Sequence, residues 1–367
     1  RYGARASLTV IALLYLVSGV GCLLAVNWPM LLIMRVLAGF AVGASSVLAP
    51  VYIAEIAPAE RRGMMVGAFQ LNVVLGILVA YLSNYFVSSL ELGALDWHVK
   101  FGITALPALV LLVMMRTIPD SPRWLFAKGR EAEAAAVLAK LGNADVAGEI
   151  TVWRRAEEQA HAPRLSWKRH HRPMLLAIAI AAFNQLSGIN AVLYYLNDIF
   201  AAAGFTGVSA DRQAIVIGAC NLLFTALALT VIDRIGRKTL LLIGSVGLTA
   251  ALAGVAVIFG GGAPQSWLLY LLIGFIAFFA FSQGAVIWVY ISEIFPTDVR
   301  ARGQSLGSSV HWFMDAVIAF GFPLMAAHAR ALPFWLFAGM MALQFVAVLV
   351  FFPETKRRSL EAIGEAM

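Results

Sequence analysis

The chain has 367 residues, 61% of them apolar and only 13% charged, with a mean hydropathy of +0.84. A soluble domain averages about 45–50% apolar and about 25% charged, so a soluble enzyme, a disordered chain and a nucleic-acid-binding protein are all excluded. The net charge of +7 points to basic loops beside a lipid bilayer, because Lys and Arg fall between long apolar runs.

A bilayer core takes about 20 apolar residues per helix. Runs of that kind lie at about 7–26, 30–54, 63–87, 101–118, 173–203, 212–232, 239–259, 266–292, 303–326 and 332–352. They predict an all-α membrane protein with ten spans in this chain; strands are disfavoured because no alternating ten-residue segments occur. Cys22 and Cys220 both sit inside apolar runs, and support neither a disulfide framework nor a metal site. Only one connection is long, about 119–172, and it reads as helical. Ser121-Pro122 is a start signal, Gly129 a stop, and the Ala/Glu/Lys-rich stretch Arg130–Leu141 ends at Gly142. The predicted partition is a first bundle over 1–118, a helical linker over 119–172, a second bundle over 173–353 and a tail over 354–367.

Lys and Arg set the orientation. One side holds 23 of the 27: Arg1, Arg5, Arg61, Arg62, those from Arg116 to Arg172, Arg234, Arg237, Lys238, Arg300, Arg302 and Lys356–Arg358. The four left over are Arg35, Lys100, Arg212 and Arg330. The richer side is expected to be cytoplasmic, together with both ends of the chain.

The two halves repeat. Tyr52-Ile-Ala-Glu-Ile-Ala-Pro58 recurs as Tyr290-Ile-Ser-Glu-Ile-Phe-Pro296, 238 residues on, and Arg62 maps onto Arg300 at the same offset. Arg1-Tyr-Gly-Ala-Arg5 resembles Arg234-Ile-Gly-Arg-Lys238, and Pro119-Asp-Ser-Pro-Arg-Trp-Leu125 echoes Pro353-Glu-Thr-Lys-Arg-Arg-Ser-Leu360. Membrane transporters are often built from such repeats. Two spans precede the Arg234 loop and none precedes Arg1, so two further helices, about 60 residues, are expected upstream, making six plus six.

With Arg35-Val-Leu-Ala-Gly39, Gln185-Leu-Ser-Gly-Ile-Asn190, Tyr194-Tyr195 and Asp233-Arg-Ile-Gly-Arg-Lys238 added, the chain resembles the sugar porter family of the major facilitator superfamily over essentially its whole length. The resemblance implies the major facilitator fold and alternating access by two rocking six-helix bundles, with a hexose or pentose held between them. It further implies a multi-pass protein of a bacterial inner membrane, working as a monomer without cofactor or metal. Sugar/proton symport is the expected mode. A polyol transporter and a non-transporting sugar sensor are the alternatives within the fold. A membrane enzyme would need a nucleophile–base set, and a nucleotide-driven pump a P-loop, which the sequence lacks.

A sugar offers hydroxyls on its edges and C–H faces, so its site needs neutral donors and acceptors plus an aromatic platform. Gln70, Asn184, Gln185, Asn190 and Asn221 are intramembrane amides that both donate and accept, and Trp288 and Trp312 are candidate platforms. The bland reading is that these amides only hold helices together, and that Trp288 only packs. Gln185 and Asn190 stand about 140° apart on an ideal helix; Ser187-Gly188 between them could bend both toward one cavity. Tyr194 and Tyr195 correspond to an extracellular gate.

Two departures from the family pattern concern Asn184, where Gln is common, and the ninth span, where His311 and, four residues on, Asp315 stand at positions that often hold amides. His311 and Asp315 share a helix face. Either they form a proton-accepting pair, or His311 is a neutral donor to sugar with Asp315 fixing its tautomer. Arg35 matches the Arg that, in proton-coupled members, pairs with an Asp on the first helix; its alternative is snorkelling to the interface. Arg5, Glu55 and Arg62 in one half, and Arg237, Glu293 and Arg300 in the other, are expected to form cytoplasmic gates, with Ala4 weakening the first because the family usually has Arg there.

Overall fold

The computed structural model describes residues 3–57, 62–143, 145–158, 165–205, 207–296 and 299–356. Among them every regular element is helical. Ten helical segments are long and apolar enough to cross a membrane. Two compact units emerge, Arg1–Gln70 with Ser83–Ala162, and Leu71–Leu82 with Pro163–Met367.

The first unit begins with α1 (Ala4–Leu23) and α2 (Trp28–Ile56), which pack along one another. Asn27 caps α2 by accepting the Met30 amide through Oδ1 at 2.9 Å, the bond that an Asn before a Pro-containing first turn is suited to make. Leu8, Ile11, Ala41, Tyr52 and Met115 form the buried seam. The opposite face of α1 shows Val10, Leu13, Val17 and Val20; spaced three and four residues apart, they form an apolar stripe suited to lipid contact. α3 (Arg62–Ser89) follows. The fourth span is Gly93–Met114 rather than the predicted 101–118. Asp96, His98 and Lys100 dilute its apolar signal, while Asp96 and Lys100 neutralise each other at 2.5 Å. It is interrupted between α4 (Asp96–Gly102) and α5 (Ala105–Met114).

The long connection is helical. α6 (Pro122–Ala127) starts where Ser121 Oγ accepts the Trp124 amide at 3.2 Å. Gly129, at φ +74°, ends that turn, α7 (Glu131–Lys140) fills the Ala/Glu/Lys stretch, and α8 (Val146–Glu158) completes the insert. All three group with the first unit.

The second unit holds α9 (Trp167–Leu186), α10 (Ile189–Tyr194), α11 (Leu196–Ala202), α12 (Gly207–Ile235), α13 (Arg237–Phe259), α14 (Leu268–Phe279), α15 (Ala285–Ile294), α16 (Arg300–His328) and α17 (Leu332–Phe351). The single run predicted over 173–203 is thus three helices in sequence. A π-helical turn, Ala280–Gly284, joins α14 to α15. Helix association in lipid relies on close packing rather than on hydrophobic transfer. Gly247 shows it, since a Cβ there would lie 2.2 Å from Phe278 Cγ. One core gathers Phe200, Leu248, Phe275 and Phe337; another gathers Ile180, Leu240, Tyr290 and Phe295.

The sequence repeat has a structural counterpart in both units. Tyr52 Oη donates to the Pro119 carbonyl at 2.6 Å, and Tyr290 Oη donates to the Pro353 carbonyl at 3.2 Å. The repeated Tyr therefore ties the end of its helix to the repeated Pro-acid motif in each half.

Candidate functional site

The fifth membrane run is broken at the residues that the sequence singled out. α9 ends at Leu186, Gly188 takes φ +79°, and the chain restarts as α10 at Ile189. Ser187 Oγ donates to the Asn184 carbonyl at 2.6 Å and accepts the Ile189 amide at 3.3 Å, so the freed backbone groups of the break stay satisfied. Only glycine fits at 188: the positive φ disfavours a side chain, and a Cβ would lie 2.3 Å from Phe337 Cδ2.

This break places Gln185 and Asn190 on one side, with Asn190 Nδ2 donating to Gln185 Oε1 at 3.3 Å. Both face α16. Asn190 Nδ2 also donates to Asp315 Oδ1 at 2.8 Å, and Tyr194 Oη donates to Asp315 Oδ2 at 3.2 Å. Gln185 Nε2 lies 2.9 Å from His311 Nε2 and 3.3 Å from Nδ1. Trp288 stands beside the cluster, its ring centroid 5.0 Å from that of His311, and Trp312 meets His311 edge-on at 5.3 Å. Gln185, His311 and Asp315 are buried, while Asn190 and Trp288 are half-buried.

His311 and Asp315 do not bond each other. One helical turn apart on α16, they reach different amides, and the path between them runs through Asn190 and Gln185. An ionised Asp315 has acceptors only, so it fixes the sense of the whole chain. Asn190 must turn its NH2 to Asp315 and thereby also to Gln185 Oε1. Gln185 then turns its NH2 to His311, whose Nε2 accepts in the tautomer that carries its proton on Nδ1.

Other sequence candidates are placed separately. Asn184 and Asn221 are buried on α9 and α12, and Asn184 Nδ2 has no hydrogen-bond partner among the described residues. Gln70 is half-buried on α3 in the first unit. Tyr195 Oη donates to the Ala319 carbonyl at 3.1 Å and its ring stacks on Phe322 at 5.1 Å. Arg35 is exposed on α2, with its guanidinium 5.1 Å from the Phe101 ring centroid, within cation–π range.

At the Arg237 end of the second unit, Glu293 receives a two-point contact: Arg237 Nη2 donates to Oε1 at 2.8 Å and Nε to Oε2 at 3.1 Å. Thr355 Oγ1 donates to the same Oε2 at 2.6 Å. Glu354 accepts the Arg237 and Lys238 amides at 3.0 and 3.1 Å, capping α13 with a carboxylate where the helix dipole favours one. Arg300 is half-buried; burial lowers its pKa, and the nearby Glu293 charge opposes that shift. The first unit is arranged otherwise. Arg5 donates to the Met115 and Arg116 carbonyls at 2.9 and 3.3 Å instead of reaching Glu55. Ala4 packs against the apolar seam. Arg1, the Arg62 side chain and residues 357–367 lie outside the described residues.

One polar pair escaped the sequence reading. Gln283, in the π-helical turn, donates through Nε2 to Gln344 Oε1 of α17 at 2.8 Å, and both are buried. The signal was present, since each is an amide inside an apolar run, the criterion that selected Gln185.

Comparison with known proteins gives the family and the fold. Residues 1–367 match the family described as Sugar (and other) transporter. The D-xylose-proton symporter of Escherichia coli (strain K12) is 31% identical over 399 residues, covering 99% of this chain and 80% of that protein. Glucose transporter GlcP of Staphylococcus epidermidis is 35% identical over 375 residues, covering 99% and 82%. Among solved structures, the proton:xylose symporter XylE bound to 6-bromo-6-deoxy-D-glucose superposes with a TM-score of 0.85 at 30% identity, covering 100% of this chain and 84% of that one. The inward open form of XylE from E. coli gives 0.86, also at 30% identity, covering 100% and 83%. With helical elements and ten candidate spans among its described residues, and with its repeated halves, the chain is an integral membrane protein of the sugar transporter family in the major facilitator superfamily.

Proposed function

We propose that this protein carries a monosaccharide, a hexose or a pentose, across a bacterial inner membrane by alternating access, with protons as the coupled ion. The observation that carries this reading is the cluster of Gln185, Asn190 and His311 beside Trp288, inside the membrane run of the second unit. Amides exchange partners at little cost, because each both donates and accepts. Sugar hydroxyls can replace the bonds these groups make to one another, while the Trp288 ring offers a face to sugar C–H groups. Names of similar proteins support the substrate class: D-xylose-proton symporter, D-xylose transporter and glucose transporter.

The remaining assignments complete the proposal. Gln70, Asn184, Asn221 and Trp312 are further sugar contacts, and Tyr194 and Tyr195 form the outer gate. Arg35 belongs to proton coupling. Arg237, Glu293 and Arg300 form a cytoplasmic gate in the second half, Arg5, Glu55 and Arg62 hold the matching positions of the first, and the Lys/Arg bias puts both chain ends in the cytoplasm. The functional partition is a bundle over 1–118, a linker over 119–172, a bundle over 173–353 and a tail over 354–367, acting as a monomer in the lipid bilayer.

The test is sugar binding by Gln185→Ala in the full-length protein, with D-xylose and D-glucose as probes. Removing one buried amide contact is expected to cost about 1–3 kcal/mol. Affinity within twofold of the parent for every sugar that binds would contradict the assignment.

A further inference from the structure

Asp315 is a carboxylate within a membrane-spanning helix, and its surroundings are incomplete in charge. It is buried, and its oxygens accept one bond from Asn190 at 2.8 Å and one from Tyr194 at 3.2 Å. Both donors are neutral. An ionised carboxylate has about four lone-pair sites, so about half of its accepting capacity is unused. Among the described residues no Lys or Arg forms an ion pair with it. His311, one turn away on α16, lies with its Nε2 2.9 Å from Gln185 Nε2 and makes no bond to Asp315. Ionised, Asp315 gives the cluster a negative charge that neither of its two side-chain donors offsets. Ionised groups inside a membrane are costly and are normally paired.

A neutral sugar does not supply the missing charge, whereas a sugar bearing a protonated amine does. We propose that Asp315 makes this an amino-sugar site: the preferred substrate is a monosaccharide in which an ammonium replaces one hydroxyl, seated on the free face of the Asp315 carboxylate. This rests on the reading of the Gln185–Asn190–His311 cluster as the sugar site, and narrows its substrate class. The ammonium donates to Asp315, the remaining hydroxyls exchange with Asn190, Gln185 and His311 Nδ1–H, and Trp288 covers an apolar sugar face. The neutral donors Asn190 and Tyr194 orient the carboxylate without cancelling its charge, which leaves it available to a cation.

The experiment is equilibrium binding to the purified full-length protein, below the pKa of the sugar amine. Probes are D-glucose, D-xylose and the 2-amino, 3-amino and 6-amino deoxy analogues of D-glucose. At least one amino analogue is expected to bind about tenfold or more tightly than D-glucose, because a charge-assisted hydrogen bond is roughly twice as strong as a neutral one. In Asp315→Asn that ratio should fall to about one or below, and Asp315→Glu, which keeps the charge, should retain a preference. If glucose or xylose binds and no amino analogue binds more tightly, the amino-sugar proposal is overturned while the sugar-site reading stands. If no probe binds, neutral or amino, the sugar-site reading itself fails. A preference that survives unchanged in Asp315→Asn overturns the pairing of the ammonium with Asp315. The comparison within the parent protein decides the question even if the variants fold poorly.

Discussion

At the scale of single residues, polar side chains that the sequence shows as a scatter of amides become a directed chain. The sequence made Gln185, Asn190, His311 and Asp315 legible as candidates, because polar groups inside apolar runs stand out. It did not show who bonds whom: the i, i+4 spacing of His311 and Asp315 suggests a pair, yet each reaches across to a different amide on the broken helix. Helical spacing fixes which face a residue occupies, while partners are fixed by the helix that packs there. Glu293 shows the same limit. Its repeat with Glu55 suggests matching networks, but Arg5 directs its guanidinium to backbone carbonyls. Removing one partner of a buried ion pair costs about 3 kcal/mol at the low end. Glu293→Gln leaves Arg237, whose side chain is only 9% exposed, without its carboxylate, so the detergent-solubilised variant should unfold at a clearly lower temperature. An unchanged Tm would show that the contact contributes little. In the gate reading, the same variant should increase labelling of a cysteine introduced on the cytoplasmic side of the cavity; unchanged labelling would contradict that role.

Among the helices, breaks matter as much as lengths. Hydropathy finds ten runs because lipid demands about 20 apolar residues per crossing, and that requirement is written locally. Ser187-Gly188 is a legible break, since a small polar residue followed by glycine weakens a helix. The interruption at Ile103–Thr104 follows Gly102 and precedes Pro107, which cannot donate to the Ile103 carbonyl; the π-helical turn at Ala280–Gly284 contains Ser282 and Gly284, and the Gln283–Gln344 bond fastens it to α17. The Gly188 break is predicted to be essential to the cluster. Gly188→Ala forces a side chain into a left-handed backbone, which costs roughly 1–2 kcal/mol, and drives a Cβ against the Phe337 ring. Both Tm and sugar affinity should fall. Pairing the change with Phe337→Leu should recover part of the loss but not all, because the backbone strain remains; full recovery would show that the steric contact alone matters.

For the molecule as a whole, the repeat is the most legible feature and the relation between sequence and fold is most direct there. Tyr52 with Pro119, and Tyr290 with Pro353, close equivalent loops with equivalent bonds. Tyr52→Phe and Tyr290→Phe should each cost about 1 kcal/mol, and the double variant should show the sum, since the two bonds share no residues; a double variant no worse than either single one would contradict independent closure. Uptake into proteoliposomes holding the full-length protein tests the central claim, sugar carriage through the Gln185–Asn190–His311 cluster, most directly. An inward proton gradient should drive accumulation of D-glucose, D-xylose or an amino-deoxy glucose, and Gln185→Ala should reduce it severalfold at sub-saturating sugar. Accumulation of none of these sugars by the parent, or undiminished accumulation by Gln185→Ala, would contradict the account.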